Sequence, residues 1–147
     1  MPWLPRPSLL TPAELMRIVK VGVAAGIEEV RLSGGEPLLR PDIVEIVARI
    51  AALRTPAGTR VDVSMTTNGI GLARLAEPLA DAGLTRVNVS LDTLRAERFA
   101  VLTQRDRLDD ALAGIAAAAE AGLAPIKLNA VLMRWVNDDE AVALASW

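Results

Sequence analysis

Four short segments of this chain alternate apolar and polar side chains, and a helical pattern follows each one. They are Val30-Arg31-Leu32-Ser33, Val61-Asp62-Val63-Ser64-Met65-Thr66, Val87-Asn88-Val89-Ser90-Leu91-Asp92 and Ile126-Lys127-Leu128-Asn129-Ala130. Period two gives a strand one apolar and one polar face. The strand–helix units recur about every thirty residues, the size of a βαβ repeat, so the sheet is expected to be parallel. Parallel strands covered on both faces read instead as unbroken apolar runs. The alternation therefore predicts helices on one face only. The other face carries Arg31, Ser33, Ser64, Thr66, Asn88, Ser90, Lys127 and Asn129. Such a face suits a barrel lumen holding a polar ligand, and two cations among neutral donors point to an anionic one. The competing arrangement is an open sheet whose polar face meets water.

The helices follow from their end signals. Thr11-Pro12-Ala13-Glu14 is a capping box with proline at the first helical position. Leu15, Ile18, Val19 and Val23 form the apolar stripe of that helix, and Ala25-Gly26 ends it. Strand one is expected over residues 27–33. Arg40-Pro41-Asp42 opens a second helix, with Ile43, Ile46, Val47 and Ile50 facing the sheet. Strand two is expected over 60–66. A third helix covers 72–82, with a break or kink at Pro78. Strand three covers 86–91, after which Asp92-Thr93 caps a short helical turn. An Ala-rich helix covers 108–121. Strand four covers 126–133, and Asn137-Asp138-Asp139-Glu140 caps a last helix. Arg31 has Glu29 or Asp62 as an ion-pair partner, and Asp62 reads as structural.

Leu32-Ser33-Gly34-Gly35-Glu36-Pro37 turns the first strand toward a helix. Two residues without Cβ permit φ > 0 or close approach of a ligand to the main chain. In a βα chain that turn lies where ligands bind; a tight turn with no ligand fits the same six residues.

The length, 147 residues, fits one domain over residues 1–147. Four strands are too few for an eight-strand barrel, so the chain reads as the interior of a longer one. The two outer strands would then be open edges, which favours self-association or pairing with missing segments. The net charge of −2 argues against nucleic acid and anionic membrane as partners. No run is apolar enough to span a membrane, and Met1–Pro7 lacks a signal-peptide core, so a cytoplasmic location is expected. Cys, His and Tyr are all absent. That excludes thiol and imidazole chemistry, hydrolytic triads and ordinary zinc sites. No residue stands out as catalytic and none as a metal ligand.

The stretch Leu32–Arg40 resembles the Gly-Gly-Glu-Pro motif of radical S-adenosylmethionine (SAM) enzymes. Met65-Thr66-Thr67-Asn68-Gly69, Arg86–Asp92 and Lys127-Leu128-Asn129 narrow the resemblance to the GTP 3′,8-cyclase family of molybdenum-cofactor biosynthesis. The resemblance spans Trp3 to Ser146. It implies a partial (βα) barrel of about four parallel strands with covering helices, and a nucleotide-binding lyase. It implies that Gly34, Gly35, Glu36 and Ser90 hold SAM, and that Arg31, Thr66 and Lys127 hold GTP. It also implies [4Fe–4S] clusters, whose cysteine ligands this chain lacks. Two alternatives stay open, a non-enzymatic remnant with residual nucleotide or SAM binding, and another radical SAM enzyme. Trp135 departs from the family, where glycine precedes Val136-Asn137-Asp138. If φ is positive there, tryptophan costs about 1–2 kcal/mol.

Overall fold

The computed structural model describes residues 9–147; Met1–Pro7, read above for a signal segment, lies outside them. The element order is α1 (Pro12–Ala24), β1 (Glu29–Leu32), α2 (Ile43–Ala51), β2 (Asp62–Thr67), α3 (Leu72–Asp81), β3 (Arg86–Ser90), α4 (Ala96–Thr103), α5 (Leu108–Glu120), β4 (Ile126–Asn129) and α6 (Ala141–Ser146). All three strand pairs are parallel, in the order β1-β2-β3-β4.

The register sorts the alternation into faces. Leu32, Met65, Val87 and Ile126 lie side by side, as do Thr67, Val89 and Leu128. The apolar ones pack with Ile43, Ile46, Val47 and Ile50 of α2, Leu72, Ala76 and Leu79 of α3, and Ala111, Ile115 and Ala118 of α5. Val63, Met65, Val87 and Val89 are fully buried. The four α2 residues expected at the sheet are all in the core. In α1 the buried residues are Met16 and Val23, while Ile18 is 60% exposed, so the stripe is rotated from the expected one.

The capping box forms as read: the Thr11 side chain accepts from the Glu14 N–H, and Glu14 reaches back to the Thr11 N–H. Pro78 does not break α3, which runs on to Asp81. Pro78 and Arg74, whose carbonyl loses its helical donor, are both exposed, so water can satisfy the freed group. Strand β4 stops at Asn129, four residues before the expected end. Its continuation is captured by side chains: the Val131 N–H donates to Asp92 (2.8 Å) and the Met133 N–H to Asn137 (2.6 Å). Asp92 is therefore a tie between β3 and the loop after β4, not a helix cap.

Glu140 stands at the N-cap of α6, but neither its side chain nor that of Asn137 makes a capping hydrogen bond. The buried Asn137 amide donates to the carbonyls of Asp92 (2.7 Å) and Val131 (2.9 Å). The buried Glu140 accepts from Thr93 Oγ1 (2.6 Å), the Leu94 N–H (2.8 Å) and Arg98. Both hold the 131–140 loop against the end of β3. Trp135, within that loop, has φ +66° and is 89% exposed, with the Arg134 guanidinium 5.9 Å from its ring. The condition under which tryptophan is strained at this position, a positive φ, is met.

Candidate functional site

The polar face is built in rows across the strands. Glu29 lies beside Asp62. Arg31, Ser64 and Arg86 form the next row, then Thr66, Asn88 and Lys127, then Ser90 beside Asn129. Neighbours in a row are about 4.8 Å apart, and rows are separated by two residues, about 6.7 Å. Arg31, Thr66, Ser90 and Lys127 thus share one face, as the alternation predicted. That face forms a wall of an open four-strand sheet. The cavities found beside Lys20, Leu53 and Pro56, and beside Arg95–Arg98, touch none of these residues.

The lower rows are satisfied internally. Arg86 pairs with Asp62 and with Glu29 (2.7 Å). Thr85 donates to Asp62 (2.5 Å). Arg31 pairs with Glu29 (3.2 Å) and donates to Ser64 Oγ (3.4 Å), and Ser64 donates to Glu29 (3.3 Å). Desolvation is the largest influence on Glu29 and Asp62 and pushes both carboxyls up. For Glu29, the Arg86 charge and hydrogen bonds from Arg31 and Arg86 outweigh it; for Asp62, hydrogen bonds from Thr85 and Arg86 and the Arg86 charge do so. Both end below the usual carboxylate range.

The upper rows are not satisfied internally. Among the described residues, the side chains of Thr66, Asn88, Ser90, Lys127 and Asn129 make no hydrogen bond to protein. No fully buried polar side-chain atom lacks a partner, so these five groups face solvent. Asn88 is informative because only 8% of it is exposed, yet its amide opens onto this face. Of the three strand cations on the wall, Lys127 alone has no carboxylate partner among the described residues.

The Gly-Gly-Glu-Pro turn borders the same end. Gly34 has φ +148°, and an added Cβ there would meet nothing within 4 Å, which leaves room for a ligand against the backbone. Gly35 is exposed beside it. The Glu36 carboxylate accepts from the Leu38 N–H (3.0 Å), Thr67 Oγ1 (2.7 Å) and the Asn68 N–H (2.8 Å). It clamps the turn to the end of β2 and keeps about one of its four lone-pair directions free. Asn68 accepts from the Ile70 N–H (3.0 Å), closing a turn in which Gly69 has φ +80°.

Sequence reasoning missed Thr67 as the partner of Glu36, because its alternation assigns it to the apolar face. It also missed Glu29 as a member of the wall, and the roles of Asn137 and Glu140. Pairing of this kind depends on strand register and loop path, which one-dimensional spacing does not carry. An iron–sulfur cluster does not fit the residues present: the chain has no cysteine or histidine, and the described residues hold no group of three or more potential ligands. SAM does fit, with an open glycine backbone, free hydroxyl and amide groups, and one unfilled carboxylate direction. No helix among the described residues is long and apolar enough to cross a membrane.

Comparison with known proteins identifies the family. The radical SAM superfamily model matches residues 2–147. GTP 3′,8-cyclase of Streptomyces coelicolor is 58% identical over 146 residues, covering 99% of this chain and 42% of that protein. The enzymes of the same name from Paenarthrobacter nicotinovorans and Corynebacterium glutamicum (strain ATCC 13032) are 51% and 49% identical, each over 99% of this chain and 40% and 39% of theirs. The chain spans about two fifths of the length of these relatives. In fold it is similar to HydG, a maturase of the [FeFe]-hydrogenase, with a TM-score of 0.66 at 20% identity over 83% of this chain and 28% of that one.

Proposed function

Since the chain belongs to the radical SAM superfamily, we propose that its polar wall is the nucleotide- and SAM-binding side of a GTP 3′,8-cyclase, a lyase of molybdenum-cofactor biosynthesis. The observation that carries this reading is the division of the wall. Its lower rows are closed by ion pairs, while its upper rows offer five uncommitted polar side chains beside an open glycine turn. Lys127 and Arg31 take phosphate or purine oxygens, as a point charge and a fork respectively, and Thr66 adds a hydroxyl. Ser90, the Gly34-Gly35 backbone and the remaining Glu36 lone pair take SAM, whose sulfonium carries the adenosyl group used by this superfamily. The names of relatives more than twice this chain's length support the reading.

GTP titrated into the chain by calorimetry tests it. Lys127→Ala is expected to weaken binding about tenfold, the worth of one charge-assisted contact at 1.5 kcal/mol or so. An unchanged isotherm would remove Lys127 from the site.

The cysteine-free composition favours a second reading for this chain taken alone, binding without chemistry. After anaerobic iron–sulfide reconstitution with reductant and SAM, 5′-deoxyadenosine is expected at the level of a protein-free control. Formation above that level would contradict the argument from composition.

A further inference from the structure

We propose that Glu29 is a specificity-determining residue of the wall: it is the counterion Arg31 must release before it can take an anionic ligand group, and Arg86 retains it afterwards. The inference rests on the reading of the wall as a nucleotide site. Glu29 and Arg31 are two residues apart on β1 and so share a face. One Glu29 oxygen, Oε1, serves Arg31 Nη2 (3.2 Å), Arg86 Nη2 (2.7 Å) and Ser64 Oγ (3.3 Å). The two guanidinium groups are not equivalent. The Arg86 side chain is 21% exposed and also holds Asp62, whereas Arg31 is 52% exposed and has the longer contact. Arg31 is therefore the member that can leave, and Glu29 keeps Arg86 and Ser64 when it does.

The charge balance gives this consequence for recognition. Arg31 and Arg86 are offset by Glu29 and Asp62, so Lys127 supplies the only uncompensated charge among the strand residues of the wall. Lys127 attracts any anion. Arg31 answers only an anion that out-competes a carboxylate, which a phosphate chain presenting several charged oxygens does better than a lone carboxylate. Discrimination then comes from a built-in competitor, not from an added contact.

The near-isosteric Glu29→Gln variant tests this in two ways. In the nucleotide-free chain, a dicarbonyl reagent should modify Arg31 about two- to fivefold faster, the range expected on removing an exposed ion pair. Arg49, whose Glu45 partner at 2.5 Å is untouched, is the internal reference. Unchanged Arg31 labelling overturns the proposal whether or not GTP binds. In titrations, the variant should bind GTP about two- to fivefold tighter with guanosine unchanged. Where the parent binds GTP, equal gains for both, or no gain for GTP, also overturn it. Inorganic tripolyphosphate in parallel separates the two readings. Tighter tripolyphosphate binding with no GTP binding by either chain keeps the Glu29 competition and rejects the guanine-nucleotide site. Unchanged tripolyphosphate binding rejects the competition itself.

Discussion

Glu140→Ala is expected to lower the unfolding free energy by about 3 kcal/mol, the cost of breaking a buried, hydrogen-bonded ion pair. The carboxylate is 3% exposed and accepts from Thr93, the Leu94 N–H and Arg98. Its removal strands the first two donors, while Arg98 keeps Asp139 at 2.7 Å. By contrast, the half-exposed Arg49–Glu45 pair contributes about 0.3–0.5 kcal/mol. The pH dependence has a definite sign. Desolvation pushes the Glu140 carboxyl up, but hydrogen bonds from Thr93, Leu94 and Arg98, with the Arg98 charge, outweigh it and leave it below its usual value of 4.5. A depressed carboxyl stabilises the fold above that value, and the contribution is lost as pH falls below it through the folded-state value. Urea unfolding at about pH 7 and again in acid should therefore show a smaller pH effect in Glu140→Gln than in the parent. An equal effect would mean that the 131–140 loop is not held through this carboxylate.

Gly114→Ala is expected to destabilise the fold by about 2–3 kcal/mol, the reverse of its usual effect. In an exposed helix interior the change stabilises by about 1 kcal/mol. In α5 the added Cβ would stand 2.2 Å from the Gly69 carbonyl oxygen and 3.1 Å from Leu72 Cβ. The obstacle is backbone, so α5 must move. The displaced turn begins at Asn68, whose N–H binds Glu36, and the disturbance passes directly to the Gly-Gly-Glu-Pro clamp. Calorimetric melting of Gly114→Ala beside Gly122→Ala makes the comparison internal. Gly122 has φ +76° and open space around it, so its replacement carries only the left-handed cost of about 1–2 kcal/mol. A higher melting temperature in Gly114→Ala would contradict the close packing of α5 on the Gly69 turn.

What the sequence made legible was what period and spacing encode. Alternation placed Arg31, Thr66, Ser90 and Lys127 on one face, and capping chemistry located the start of α1. Lost to it was whatever depends on a partner distant along the chain. Asp92 and Asn137 have the composition of helix caps, but Asp92 takes the Val131 N–H and Asn137 reaches the Asp92 carbonyl, across a loop whose path no local rule gives. For Arg31 the sequence offered Glu29 or Asp62 as partner, and the structure selects Glu29. Only the register, which sets Arg31 beside Ser64 and Arg86, shows that Glu29 is shared among them. Gly114 has no local signature, because its constraint is the backbone of a turn some 45 residues earlier. Trp135 was legible as an anomaly because a bulky residue stood where the family resemblance places glycine, and the structure gives it positive φ.

The central claim is that the uncommitted upper rows of the wall are the ligand surface. Backbone amide shifts recorded by heteronuclear NMR during a GTP titration test it most directly. The account predicts the largest changes at Arg31, Thr66, Asn88 and Lys127, with smaller changes at Val63 and Val87, whose side chains face the helices, and at Ala118 within α5. Changes centred on the cavity at Lys20, Leu53 and Pro56, or an unperturbed spectrum at millimolar GTP, would contradict it.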